Sequence, residues 1–514
     1  MKKQAQKETH IKTENKGFSK VKVIIIALLI AMQLAVIVFF NTRYALIAQG
    51  FSTFSAVISF LTCLYVLSTN KNGLSKAVWI IFLLTCFTFG YIIFWASGER
   101  IFLKSAKKRY KAIYQQKEEY LLNSIEEKNC CQTSKKISNF TYSSGKFLTY
   151  TGCKQEYFKD GESFFSQIKK SIENAKRFIF IEFYIIAEGK LFDEIFTLLF
   201  QKVKSGVEVR VIYDDLGCKN RFSNKIKKRL IDAGIKLMPF NRILPVVSFS
   251  FNYRDHRKIV VVDGLTAFTG GCNLADEYVN EISPYGYWKD CGIKIQGSSV
   301  DTFTLLFLRQ WEVISKERED YSQYLNKYKS YENNAIVIPF ADGLEYEHNI
   351  ARGVYETLIA SSNEFLYVAT PYFVVDDGIT NLLINKALSG VDVRIILPGV
   401  PDKKFVYLVS RNNAEKLCEY GVKVYLAKDT FVHSKCVLTE EGVVLGSINM
   451  DLRSFYQQFE CAVYTDDKKI TKDVLDDFNF TMNKSVLINQ SNKLRKNLFY
   501  RVFAGIMQVF APFM

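Results

Sequence analysis

The chain carries one pattern of segments twice, and this duplication limits its possible folds more than any other feature. RFIFIEFYII (177–186) returns as EFLYVATPYF (364–373), SGVEVRVIYDD (205–215) as SGVDVRIILPG (389–399), and AGIKLMPFN (233–241) as YGVKVYLAK (420–428). The order is kept, and the copies stand roughly 185 positions apart. Ordered recurrence of this kind reads as a duplicated domain. Within a copy, apolar runs alternate with amphipathic helices. ESFFSQIKKSIENAK, for example, puts Phe164, Phe165, Ile168 and Ile172 at helical spacing. The expected fold is α/β: two tandem lobes, 141–330 and 331–490, related by a pseudo-twofold, each built on a central sheet.

The repeat also duplicates a set of reactive side chains. The first copy reads HRKIVVVDGLTAFTGGCN (256–273) and the second HSKCVLTEEGVVLGSIN (433–449). Aligned on histidine, His256 matches His433, Lys258 matches Lys435, and Asn273 matches Asn449. Small residues precede each asparagine: Gly270 and Gly271, then Gly446 and Ser447. Further on, YWKDCGIKI matches QQFECAVYT, which aligns Asp290 with Glu460. In a strand, residues i and i+2 share a face, so each histidine and its lysine point together. Two lysines and two asparagines in one cleft suit phosphate oxygens. Two imidazoles can divide a displacement between nucleophile and proton carrier. A downstream carboxylate on each imidazole, Asp290 in the first copy and Glu460 beside His433 in the second, would fix its tautomer and raise its basicity. The other two histidines, His10 and His348, lack such partners and are read as incidental.

With its twice-repeated H-x-K-x4-D and following G-x-N, the sequence resembles the phospholipase D superfamily. Within it, the sequence is similar to bacterial cardiolipin synthases over nearly the whole chain, with HRKIVVVDG, TPYF and GSINMDLRSFYQQFE as landmarks. The resemblance implies a shared active site between two lobes and a two-step phosphatidyl transfer that needs no metal or other cofactor. His256, Lys258, Asp263, His433, Lys435 and Glu440 form the implied catalytic set. Asn273 and Asn449 would bind phosphate, and Asp290 and Glu460 would orient the histidines. Symmetric motifs do not say which histidine attacks; in the family it is commonly the first, here His256, with His433 as acid and base. The implied substrate is phosphatidylglycerol, converted to cardiolipin and glycerol. One departure stands out: Glu440 occupies the position of the family's second motif aspartate. Asp263 and Glu440 are expected to support the site and not to touch phosphate. Rival readings are a hydrolase of the same superfamily, a transferase with another acceptor, and a weakened membrane scaffold.

The remaining chain points to a membrane. Residues 1–22 form a basic tail, and charge-free VIIIALLIAMQLAVIVFF (23–40) follows. A stretch over 45–67 is diluted by serines and threonines, and AVWIIFLLTCFTFGYIIFWA (77–96) is again charge-free and long enough to span. Both ends of this region are basic, which places both ends in the cytoplasm and requires an even number of spans. The expectation is therefore two spans, 23–40 and 77–96, with 45–67 re-entrant or interfacial; three spans would put the lobes outside. Residues 97–140 read as a basic, partly helical linker, and 491–514 as a basic amphipathic helix suited to an anionic surface. The net charge of +16 fits anionic membrane lipids. The membrane segments argue against nucleic acid, and nothing in the sequence fixes an oligomeric state. Eleven cysteines without C-x-x-C or zinc spacing read as reduced thiols and give no metal site.

Overall fold

A computed structural model describes residues 28, 31–35, 45–69, 73–96, 99–116, 120, 131–242, 252–325, 330–488, 504, 505, 507 and 508. The basic tail, most of the 23–40 segment and most of the C-terminal helix expected at 491–514 lie outside the described residues. Two compact units emerge, one centred on the N-terminal apolar helices and one on residues 102–246 and 250–504.

In the first unit, helix α1 spans Ala45–Ser68, α2 Gly73–Thr85 and α3 Gly90–Ala96. The middle stretch, expected to be re-entrant or interfacial, is one continuous helix. Its Gln49–Ser68 portion is, among the described residues, the one helix long and apolar enough to cross a membrane. The polar residues that dilute it are not spread around it. Ser55, Ser59 and Thr62 lie on one buried stripe, while Phe51, Phe54, Val57, Phe60, Leu61 and Leu64 face outward. Small polar residues at a helix–helix contact are what apolar surroundings favour. The Ser59 hydroxyl donates to Leu83 O at 2.7 Å, and Trp95 Nε1 donates to the Thr62 hydroxyl at 3.2 Å. The 77–96 segment, expected to span unbroken, is split by the turn between α2 and α3. Gln33 serves that break: its amide donates to Thr85 O at 3.0 Å and accepts from Thr88 N at 3.4 Å.

Helix α4, Glu99–Gln116, belongs to the second unit from Phe102 onward, and a helix follows at Gln132–Gly145, as expected of a partly helical linker. The first lobe holds strands β1 (Lys154–Phe158), β2 (Phe178–Phe183), β3 (Glu208–Asp214), β4 (Lys236–Phe240), β5 (Lys258–Val262), β6 (Thr266–Gly270), β7 (Tyr287–Lys289) and β8 (Gly292–Gln296). All except β7 make one sheet in the order β1-β8-β6-β5-β2-β3-β4. The second lobe holds β9 (Val337–Asp342), β10 (Phe365–Ala369), β11 (Phe373–Val374), β12 (Asp392–Pro398), β13 (Lys423–Ala427), β14 (Thr430–Val432), β15 (Cys436–Thr439), β16 (Gly442–Gly446), β17 (Met450–Asp451), β18 (Glu460–Thr465) and β19 (Ser485–Leu487). Its sheet runs β19-β13-β12-β10-β15-β16-β18-β9.

The repeat appears as matched topology. In each lobe a buried strand (β2, β10) runs parallel to the next (β3, β12) and antiparallel to the first arm of a hairpin, β5–β6 or β15–β16. The helix expected from Phe164, Phe165, Ile168 and Ile172 spans Gly161–Glu173 and buries those four side chains; the Asp160 carboxylate caps it by accepting from Ser163 N at 2.8 Å. The ten described cysteines are free thiols.

Two short contacts lock the lobes at their shared face. Strand β7 of the first pairs in parallel with β14 of the second, and Asp255 bridges Phe459. These contacts set the position of the histidines.

Candidate active site

Each histidine leaves such a crossing and donates its backbone N–H to the other lobe. His256 N donates to Phe459 O at 2.9 Å, and His433 N to Lys289 O at 2.7 Å. The next residue after each acceptor is the carboxylate, Glu460 or Asp290. The imidazoles therefore meet carboxylates from the opposite lobe. His256 Nδ1 lies 2.9 and 3.0 Å from the two oxygens of Glu460, and His433 Nδ1 lies 2.6 Å from Asp290 Oδ2. The sequence reading paired each histidine with the carboxylate of its own copy, Glu460 with His433; the structure exchanges them. The parallel crossings bring each histidine alongside the carboxylate of the other lobe.

Both histidines are buried, at 7% exposure. With Nδ1–H donated to a carboxylate, Nε2 is the nitrogen left for chemistry. Burial, followed by the nearby lysine charges, pushes both imidazoles well below their ordinary range. They are neutral bases in the unliganded site. Burial lowers Lys258 to about 7 and Lys435 to about 8, and raises Asp290 to about 6 and Glu460 to about 7. The lysine ammonium groups fold back on the backbone, Lys258 Nζ donating to His256 O at 2.5 Å and Lys435 Nζ to His433 O. Lys435 Nζ also lies 2.8 Å from His433 Nδ1. Aromatic rings wall the histidines: Tyr184 stands 5.1 Å from His256, and Trp288 and Tyr278 stand 5.2 and 5.4 Å from His433.

The two asparagines, matched in sequence, are not matched in engagement. The Asn273 amide accepts from Ile185 N at 3.1 Å and donates to the Tyr278 hydroxyl at 2.7 Å, so it ties a loop to the sheet. The side-chain oxygen of Asn449 is buried without a hydrogen-bond partner. Of the two, Asn449 is the better placed to meet a ligand.

Asp263 and Glu440, grouped by motif with the catalytic residues, are not at the cleft. They sit at the far ends of β5 and β15, in the hairpin turns. Asp263, in the left-handed region at φ 54°, accepts from the backbone N–H groups of Lys176, Arg177 and Phe178 at 2.8, 2.7 and 3.0 Å. Glu440 accepts from Asn363 N at 2.5 Å and Phe365 N at 3.3 Å, the equivalent entry into β10. Each carboxylate stitches its hairpin to the start of the central strand.

Sequence reasoning took Ser447 only as a small residue and missed Ser454. The Ser447 and Ser454 hydroxyls both donate to Glu460, Ser454 at 2.7 Å. Ser454 and Tyr278 each lie five residues after the matched asparagine. The spacing was visible, but the differing side chains hid the equivalence.

A cleft walled by two lobes, with paired histidines, lysines and carboxylates, defines the phospholipase D superfamily. The family model described as cardiolipin synthase, PLD-like domain, matches residues 168–283 and 355–482. The cardiolipin synthase 2 of Bacillus cereus is 31% identical over 471 residues, 89% of this chain and 90% of that protein. An uncharacterized protein of Streptococcus mutans is 35% identical over 457 residues, 87% of this chain and 98% of that one. The crystal structure of a phosphatidylserine synthase from Haemophilus influenzae shares the fold, with a TM-score of 0.56, 17% identity, and coverage of 74% of this chain and 98% of that one. The chain belongs to the bacterial cardiolipin synthases of the phospholipase D superfamily, membrane-associated enzymes of phosphatidyltransferase type.

Proposed function

We propose that the chain joins two phosphatidylglycerol molecules into cardiolipin and glycerol through a phosphatidyl-histidine intermediate. The observation that carries this reading is the crossed pair of His–carboxylate contacts, which leaves two Nε2 atoms available in one buried cleft. His256 Nε2 attacks phosphorus, the bond from phosphorus to the head-group glycerol oxygen breaks, and His433 delivers a proton to that oxygen. His433 then takes the proton from a hydroxyl of the second phosphatidylglycerol. That oxygen attacks phosphorus, and the P–N bond to His256 breaks. Lys258, Lys435 and Asn449 would hold the phosphoryl oxygens. An anionic diester offsets the two lysine charges that depress His433, and so raises it toward its acid form.

His256 is the better nucleophile on geometry as well. Both oxygens of Glu460 flank its Nδ1, and two serine hydroxyls hold that carboxylate. The basic flanks at both ends of the apolar region support a multi-pass protein with the lobes on the cytoplasmic side. Purified protein incubated with phosphatidylglycerol is expected to yield cardiolipin and glycerol in equal amounts, with a labelled adduct on His256 that His256→Ala lacks. Phosphatidic acid as the sole product would make it a hydrolase.

A further inference from the structure

We propose that Tyr110, on helix α4, is a positioning residue for the His256–Glu460 pair, so that the segment entering the catalytic unit is part of its machinery and not only a tether. This rests on the reading of His256 given above. The joint between the lobes on that side is Phe459. Its N–H donates to Arg254 O at 2.9 Å and its carbonyl accepts from His256 N at 2.9 Å, immediately before Glu460. Whatever fixes Phe459 therefore fixes the imidazole and its carboxylate together.

Among the described residues, three side chains hold the Phe459 ring, and Gly343 lies against its edge. Phe240 meets it edge-on at 5.2 Å and the Arg257 guanidinium lies 5.5 Å from its centroid, both from the first lobe. The third is Tyr110, with ring centroids 5.3 Å apart and planes inclined by 34°. Tyr110 is itself buried, and its hydroxyl donates to Gln310 Oε1 at 3.0 Å, which sets the ring's angle. One turn on, the Tyr114 hydroxyl donates to Glu345 Oε1 at 3.0 Å, and Arg309 lies 4.2 Å from the Tyr114 ring centroid.

Beneath α4 lies a charged cluster that the chemistry does not use. Arg257 is wholly buried, with Nε 2.8 Å from Glu182 and 3.2 Å from Asp255. Burying an ionic group is tolerated only where its partners stay in place and water stays out. Arg257 lies directly between His256 and Lys258, so loosening its cover loosens the active-site backbone.

The second joint is fixed by other means. The residue equivalent to Phe459 is Lys289, whose ammonium pairs with Asp477 at 2.7 Å, and Asp477 also accepts from the Tyr157 hydroxyl at 2.6 Å. The lobes supply that clamp themselves; on the His256 side α4 supplies part of it.

The test uses the full chain in mixed micelles with phosphatidylglycerol. Tyr110→Ala is expected to lower kcat about tenfold while KM stays within about twofold, because the reacting pair shifts and the substrate contacts do not. Tyr110→Phe, which keeps the ring, is expected to restore kcat to within about threefold of wild type. Leu383→Ala, a core truncation on a helix with no part in either joint, should lower Tm comparably and leave kcat unchanged. If Tyr110→Ala does not fold, Tyr110→Leu keeps the volume, loses the aromatic contact, and is expected to show the same loss of kcat. Tyr110 variants that fold and hold kcat within twofold, or that lose it no more than Leu383→Ala does, overturn the proposal. Wild-type turnover in His256→Ala overturns the underlying reading instead.

Discussion

The two lobes carry the same motif and hold their shared site by different means. In the second lobe, Ser447 stands at the small-residue position and its hydroxyl donates to Glu460. In the first, that position is Gly271, and a β-carbon there would meet Asp290 Oδ1 at 2.0 Å. A long carboxylate goes with a serine that braces it; a short one goes with a glycine that leaves it room. Duplication preserved the contact to each imidazole while each half settled its own packing. Compensation of this sort is expected where a close-packed interior must hold a reactive group to a fraction of an ångström.

The comparison breaks most severely at the histidines. On the proposed mechanism, His256→Ala loses the nucleophile and His433→Ala the proton carrier, and each is expected to lower kcat by about a thousandfold or more. The loss should be similar in the two lobes despite their different surroundings. A variant of either that keeps a tenth of wild-type turnover would show that the halves do not share one reaction.

Exchanging the small residues sharpens the asymmetry. Gly271→Ser must push Asp290 off His433 and is expected to cost about a hundredfold in kcat. Ser447→Gly removes one of two hydroxyls from Glu460 and should cost only about fivefold. Steady-state rates on phosphatidylglycerol check both, and equal losses would refute the compensation.

The site's charges predict a stability profile. Glu460 and Asp290 have folded values above their unfolded ones, so their contribution is complete at low pH and is lost as pH rises through about 7 and about 6. Lys258 and Lys435 have folded values below theirs, so their contribution is complete above the unfolded value and is lost as pH falls toward about 7 and about 8 respectively. Both groups therefore cost most near neutral pH. Lys258→Met should flatten the rise in stability between pH 7 and 10 by on the order of 2 kcal/mol, read from thermal unfolding across that range. An unchanged slope would mean that the lysine is hydrated.

Much of this was legible in the sequence, for reasons that explain the failures too. Apolar runs and the paired His, Lys and Asn gave the lobes and the cleft, because strand periodicity and motif spacing are local signals. The exchange of Asp290 and Glu460 was not legible, since a partner across an interface leaves no mark in the spacing within one copy. The character of helix α1 was only partly legible because Ser55, Ser59 and Thr62 were counted as dilution, when their spacing of four and three puts them on one face. Tyr110 lay in a stretch whose lysines and arginines read as linker, and its role depends on residues about 200 and 350 positions away.

The smallest expected effect concerns Glu440, the position where the second motif departs from the first. Asp263 accepts three backbone N–H groups from a buried turn, whereas Glu440 accepts two at a more open one. Asp263→Ala should therefore cost about 2–3 kcal/mol and Glu440→Ala about 1 kcal/mol, with the order visible in Tm. Neither carboxylate touches the cleft, so Glu440→Asp should leave kcat within about twofold and move Tm by only a few degrees. The extra methylene of Glu440 is taken up where the side chain reaches the Asn363–Phe365 backbone, at the far end of β15 from His433. A marked gain in turnover in Glu440→Asp would show instead that the glutamate misplaces the strand and that the second lobe works below its capacity.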